Sequence, residues 1–269
     1  MFQSIGFIGT GHMGGALARG AAKGAAGSPI YLANRSPEKA QKLARELDCK
    51  AVDNLTIFQQ CNLIFLGVKP QRMGDLLAEY RSVLAERKDR FVLASMAAGL
   101  STRTIQEMAG GKYPVIRLLP NTPVAVGAGV IQYCGLDTTE EELKAFEALM
   151  APAGLVDQIN EDLCDAASAL SGCGPAFCAL LIEALSDGGV ACGLPREKAQ
   201  LYTAQMVKGA AKLMLETGIH PGDMKDGVCS PGGTTIQGIR ILEEQGFRAA
   251  AMNAVIAAYE RTLQLGKKE

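Results

Sequence analysis

Ser4-Ile5-Gly6-Phe7-Ile8-Gly9-Thr10-Gly11-His12-Met13-Gly14 is the stretch that decides how this chain folds. A short apolar strand runs into Gly9-x-Gly11-x-x-Gly14, and a helical run over 15–23 follows at once. In such a strand–turn–helix the first glycine permits the tight turn and the second lets a pyrophosphate approach the backbone. The third lets helix and strand pack closely. The stretch therefore predicts a dinucleotide site at Ile8, Gly9, Thr10, Gly11, His12 and Met13, with His12 serving through its backbone. A plain strand-to-helix turn is the alternative.

Pro29-Ile30-Tyr31-Leu32-Ala33 is the next strand, and Asn34-Arg35-Ser36 ends it. An NAD-preferring site places a carboxylate here to accept from the ribose 2′-hydroxyl. This chain offers an amide, a guanidinium and a hydroxyl, which suit a 2′-phosphate. NADPH is the expected cofactor, with NADH as the alternative. Ser36 before Pro37 also reads as a start for a helix over 38–47.

The alternation continues, with strands over 49–52, 63–68, 91–95, 115–119, 130–133 and 154–159. Helices are expected over 55–60, 72–85, 102–108 and 140–150, the third capped by Ser101. This predicts a parallel, doubly wound Rossmann-type sheet whose ligand crevice lies at the carboxyl ends of the strands. Those ends carry Val68-Lys69-Pro70, Ala97-Ala98-Gly99 and Pro120-Asn121-Thr122-Pro123. Val68, Lys69, Pro70, Ala97, Ala98 and Asn121 are assigned to the cofactor site, because small residues there let a nicotinamide lie flat. Lys69 is open between contacting a ribose or substrate and being a solvated loop lysine.

After Asn160 only helical patterns remain, so the expected domains are 1–160, binding NAD(P), and an all-α domain over 161–269. Helices over 161–170 and 176–190 flank a break at Ser171-Gly172-Cys173-Gly174-Pro175 and are apolar nearly all round, which predicts burial on every side. The uncharged run 166–182 approaches the length of a membrane span, but its break reads as a buried core helix. Pro195 is placed at the first position of a helix over 196–216 that Gly218 terminates. A helical domain this small does not hide such faces alone, so it is expected to form a homodimer interface.

The 269 residues hold 27 basic and 28 acidic side chains and 48% hydrophobic residues. Without a Lys/Arg run, nucleic acid and membranes are not expected partners. Eight cysteines are scattered with no CxxC, and the two histidines add no zinc spacing, so no metal is expected. The strand pattern starts at once, so no leader is expected, and reduced, mostly buried thiols in the cytoplasm are the economical reading.

A second cradle lies at Cys229-Ser230-Pro231-Gly232-Gly233-Thr234-Thr235-Ile236. It reads as a helix entered through Gly-Gly, leaving bare N–H groups at the positive end of the helix dipole. That suits a small anion, and an ordinary capped helix is the alternative. No histidine or cysteine stands in an acid–base arrangement. Hydride transfer needing little proton chemistry fits, such as reduction of an imine oriented by a threonine hydroxyl.

The segments 7–13, Val68-Lys69-Pro70, Pro120-Asn121-Thr122-Pro123, 170–176 and 226–236 together resemble the Δ1-pyrroline-5-carboxylate reductase family over essentially the full length. The resemblance implies NAD(P)H-dependent reduction of pyrroline-5-carboxylate to L-proline. It places the substrate carboxylate on Ser230, in the loop with Gly232, and on the N–H groups of Gly233 and Thr234 or Thr235. It makes Thr235 the catalytic hydroxyl near the imine nitrogen and puts Asn54 near the adenosine ribose. It also implies interlocked dimers, stacked into decamers in some members. Cys173 departs from the family's usual serine. A β-hydroxyacid dehydrogenase is the rival enzyme, but its catalytic lysine has no counterpart over 171–182. A non-catalytic NADPH sensor is the other rival, and it has no use for a second cradle.

Overall fold

A computed structural model describes residues 2–266, and the chain in it divides into two compact units. One runs to Gly172 and takes in the last helix from Tyr259; the other is Cys173–Ala258.

In the first unit the strands are β1 (Ile5–Ile8), β2 (Ile30–Ala33), β3 (Lys50–Ala51), β4 (Leu63–Leu66), β5 (Val92–Ser95), β6 (Val115–Pro120), β7 (Gly129–Leu136) and β8 (Gly154–Gln158). They form one sheet in the order β3-β2-β1-β4-β5-β6-β7-β8. Its helices are α1 (His12–Gly24), α2 (Pro37–Leu47), α3 (Asn54–Gln60), α4 (Pro70–Glu79), α5 (Arg81–Glu86), α6 (Thr102–Ala109), α7 (Glu140–Met150) and the short α8 (Cys164–Ala167).

Strands β1 and β4 are apolar or glycine throughout and buried at every position, as a parallel sheet covered on both faces requires. Successive side chains go to opposite faces. Phe7 and Phe65, stacked 4.3 Å apart, join Leu17 and Phe146 in one core, while Ile8, Ile64 and Leu66 join Ile57, Met73 and Ile105 in the other.

The sheet is not parallel throughout. β7 runs antiparallel to β6, with Arg117 opposite Cys134 and Leu119 opposite Gln132, and β8 then pairs parallel to β7. Only the 3-10 turn Thr122–Val126 joins β6 to β7. A parallel return needs a crossover of about a dozen residues or more, so this link permits only reversal. The helix expected over 72–85 is also two helices, since α4 ends at Glu79 and α5 begins at Arg81.

Beyond α8 the chain passes through a π turn, Ser168–Gly172, into the second unit. There it forms α9 (Gly174–Ala191), α10 (Arg196–Thr217), α11 (Pro221–Gly227) and α12 (Thr234–Glu244), and α13 (Phe247–Gly266) closes the chain. Pro195 is the capping residue of α10 rather than its first helical one, and Gly218 ends that helix in the left-handed conformation as expected. The expected burial of α9 on every side does not occur within one chain: of its residues only Ser186 is buried. Leu180, Leu201, Met206, Leu213, Leu215 and Met252 are all exposed. The stretch Glu161–Ala191 is long and apolar enough to cross a membrane by length and composition.

Candidate cofactor and substrate sites

The glycine fingerprint has the geometry its chemistry needs. Gly9 sits at φ +93°, and a Cβ there would lie 2.5 Å from the carbonyl oxygen of Gly67 at the end of β4. A Cβ on Gly14 would lie 2.1 Å from the Gly9 oxygen, so α1 starts pressed against the turn. Gly11 caps α1 without a side-chain hydrogen bond, and the first turn holds no acidic residue. The helix therefore presents its free N–H groups and positive end to a cleft.

That cleft encloses about 720 Å³ at the carboxyl ends of β1, β2 and β4. Of the expected cofactor residues, Ile8, Gly9, Gly11, Asn34, Arg35, Asn54, Val68 and Lys69 line it. A second hollow of about 380 Å³ shares Asn34, Arg35 and Asn54 and is closed by Tyr80. The Thr10 N–H donates to Asn34 Oδ1 at 3.2 Å, and Asn34 Nδ2 donates to the Ser36 carbonyl at 3.2 Å. Asn34 thus ties the fingerprint loop to the loop that carries Arg35. Ser36 caps α2 by position only, without a side-chain bond, so its hydroxyl is not consumed by the helix. The Thr10 hydroxyl is buried with no hydrogen-bond partner. An orphaned buried hydroxyl beside bare helix N–H groups fits a bound pyrophosphate.

The other expected residues sit around this region without lining the cleft. His12 and Met13 open α1, Pro70 is the first residue of α4, and Ala97 and Ala98 form the turn after β5. Asn121 is buried and committed to the fold: it donates to the Ser171 carbonyl at 3.1 Å and accepts from the Val130 N–H at 2.9 Å. Periodicity alone did not reveal Gln71, Arg72, Asp75 and Glu79, which line the cleft from α4. The available signal was Pro70, whose fixed φ starts that helix directly after Lys69. At the cleft's edge the Thr56 hydroxyl and N–H hold Asp53 below the usual carboxylate range, while burial and the neighbouring Glu79 push the Tyr80 phenol up.

The second cradle is built by a reverse turn. The Gly233 N–H donates to the Ser230 carbonyl at 3.0 Å across Pro231 and Gly232, and Gly232 has φ +69°. Proline at the second position and glycine with positive φ at the third are the requirements of a type II turn. A Cβ on Gly233 would lie 2.3 Å from Ser230 Oγ, so only glycine lets that hydroxyl sit over the start of α12. Gly233 caps α12 without a side-chain bond. Its own N–H is consumed by the turn, so the first donors left free at this end are those of Thr234 and Thr235. Both threonines and Ser230 are exposed. His220 is spent elsewhere, its Nδ1 accepting from the Gly222 N–H at 3.1 Å as the cap of α11.

All eight cysteines are free thiols, but burial is confined to Cys61, Cys134 and Cys164. Burial pushes the Cys61 thiol up to about 12, so it stays protonated and inert.

A fingerprint-bearing sheet followed by a helical unit with its own anion cradle defines a nicotinamide-dependent oxidoreductase. Comparison with known proteins narrows the class. Residues 161–265 match the family described as pyrroline-5-carboxylate reductase dimerisation, and residues 4–99 match one described as coenzyme F420-dependent NADP oxidoreductase. A pyrroline-5-carboxylate reductase of Methanosarcina acetivorans is 40% identical over 99% of both chains. The solved structure of a pyrroline-5-carboxylate reductase from Coxiella burnetii superposes with a TM-score of 0.88 at 33% identity, covering 99% of both chains. One from Plasmodium falciparum with NADP bound gives 0.86 at 31% identity over 98% of each. The chain belongs to the pyrroline-5-carboxylate reductase family.

Proposed function

We propose that this chain reduces Δ1-pyrroline-5-carboxylate to L-proline with NADPH. The observation that carries the reading is the second cradle. A Ser-Pro-Gly-Gly turn leaves a serine hydroxyl and two backbone N–H groups at a helix start, with no acid–base residue in the turn. That arrangement takes a carboxylate by charge-assisted hydrogen bonds, which here come from Ser230 Oγ and the N–H groups of Thr234 and Thr235. The nicotinamide, when bound, supplies the hydride.

The remaining chemistry falls to this chain. The imine nitrogen gains its proton from water, and the hydride adds to the C=N carbon, whose π electrons become the amine lone pair. The Thr235 hydroxyl orients the nitrogen. The test is loss of NADPH absorbance with pyrroline-5-carboxylate, run against NADP-dependent oxidation of a 3-hydroxy acid. No turnover of the imine by folded, NADPH-binding protein would sink this reading.

NADPH over NADH rests on Arg35, which is exposed, lines the cleft and has no ion-pair partner among the described residues. Arg35→Ala is expected to weaken NADPH about ten- to a hundredfold, the worth of a charge-assisted hydrogen bond, and to leave NADH nearly unchanged. Equal losses in a titration of both cofactors would remove the 2′-phosphate argument.

The working division falls at 160/161, supported by the start of the dimerisation match. The exposed apolar side chains of α9, α10 and α13 are covered by a second copy rather than by lipid, each gaining about 1.5–3 kcal/mol on full burial. Sedimentation is expected to give at least twice the chain mass, a decamer being the larger assembly open to it. A monomer at micromolar concentration would contradict this. A cytoplasmic location belongs to the same reading, supported by eight free thiols.

A further inference from the structure

Two of the eight cysteines face each other inside the first unit. Cys134 lies on β7 and Cys164 begins α8, and their sulfurs are 3.7 Å apart. Both are buried, and with Leu119 of β6 and Ile159 they form a small core separate from the two large ones. Antiparallel pairing puts Arg117 directly opposite Cys134, so the two side chains share one face of the sheet. The Arg117 guanidinium lies 2.7 Å from Asp165 Oδ1 and 3.6 Å from Glu161 Oε1. Asp165 follows Cys164 in the chain, so this ion pair keeps the Cys164 sulfur beside β7.

Cys61 is buried too, but there burial dominates and holds the thiol up at about 12. At Cys164 the hydrogen bond from the Cys134 thiol holds the sulfur below the usual thiol range. The Arg117 charge adds to it, against the opposition of burial, Glu161 and Asp165. The Arg117 side chain is 6% exposed and its Nε has no hydrogen-bond partner, so part of its donor capacity is uncommitted. A thiolate is the nucleophile in thiol oxidation, and a second thiol within reach turns a sulfenic acid into a disulfide. Joining the sulfurs requires them to close from 3.7 Å to about 2.05 Å. The Cys164 side has the freedom for that. Helix α8 is only four residues long, between the 3-10 turn Glu161–Leu163 and the π turn Ser168–Gly172. Short irregular segments of this kind open locally at low cost, which admits a small oxidant.

We propose that Cys134 and Cys164 form an oxidant-responsive modification site, converted by a hydroperoxide into a disulfide that staples α8 to β7. The Cys164 thiolate attacks the terminal hydroperoxide oxygen, the O–O bond breaks, and the departing hydroxide or alkoxide takes up a proton. The Cys134 thiol then attacks the sulfenic sulfur, and its proton leaves with the hydroxyl as water. Two thiols are oxidised to one disulfide, and the hydroperoxide is reduced to water and a second water or an alcohol. The bond joins residues 30 apart in the chain, and a dithiol reductant reopens it. In a reducing compartment such bonds are transient and report oxidant. The site lies wholly within the first unit and is independent of the reaction proposed above.

The test treats the full-length protein with hydrogen peroxide, blocks the remaining thiols with N-ethylmaleimide under denaturing conditions, and maps the non-reduced digest by mass spectrometry. The expected result is a peptide pair joined through Cys134 and Cys164, with Cys61 still alkylated and both thiols restored by dithiothreitol. The linked protein should unfold about 5 °C or more above the reduced form, because the bond closes a long loop in the unfolded chain. In Cys134→Ala, Cys164 should stop at the sulfenic acid, which dimedone traps. Cys134 and Cys164 both alkylated after peroxide treatment would overturn the site. So would oxidation of Cys61 alongside the pair, which is the mark of general unfolding, or links from the pair to another chain. A linked protein that unfolds no later than the reduced one would overturn the staple, and an unmodified Cys164 in Cys134→Ala would overturn its role as the attacking sulfur. If Cys134→Ala fails to fold, the wild-type map and unfolding curves decide alone.

Discussion

Gly9→Ala is expected to destabilise the cofactor-free protein by about 2–6 kcal/mol and to abolish measurable NADPH binding at ordinary cofactor concentrations. Two costs combine. Alanine at φ +93° is strained by about 1–3 kcal/mol, and its Cβ would meet the Gly67 carbonyl oxygen at 2.5 Å. Overpacking against rigid backbone adds about 1–3 kcal/mol, because neither β1 nor β4 can retreat from the middle of the sheet. The turn relaxes by moving Thr10 and Gly11, and with them the start of α1. Chemical denaturation and a fluorescence titration check both parts. A variant as stable as wild type with undiminished NADPH affinity would mean that this turn is not where the pyrophosphate sits.

Thr235→Ala tests the other cradle and acts on chemistry alone. Thr235 is exposed in the first turn of α12, and Gly233, not Thr235, caps that helix, so folding should be unaffected. Removing a hydrogen-bonding group that orients the reacting nitrogen is expected to lower kcat about a hundredfold or more, with NADPH affinity unchanged. Steady-state kinetics beside a cofactor titration give both numbers. A parallel loss of NADPH affinity would mean that the substrate site has been misplaced.

The two cradles were legible in the sequence because each is local. Gly9, Gly11 and Gly14 act within one turn and the helix after it, and the Gly232-Gly233 lead-in to α12 is equally local. Backbone conformations that only glycine or proline favours are written at the position where they occur. The unbroken apolar runs of β1 and β4 were equally direct, since burial on both faces leaves no polar position in either strand.

What stayed hidden depends on partners distant in the chain. Arg117 reads as one charge within an apolar strand, and nothing near it announces Asp165 or Glu161. Asn121 reads as a cofactor residue because it stands at a strand end, yet its amide is taken up by Val130 and Ser171. The all-apolar α9 signalled burial but not by what, and within one chain its face stays open.

From sequence alone came the strand–helix alternation, the cofactor fingerprint, the helical second half and the anion turn, because local sterics and side-chain periodicity act over a few residues. Tertiary structure alone decided that β7 reverses against β6 and that Arg117 pairs with Asp165 and Glu161. Those outcomes are settled by which groups satisfy one another across the fold, and hydrogen bonds and buried charges take their partners by distance in space rather than by order in the chain.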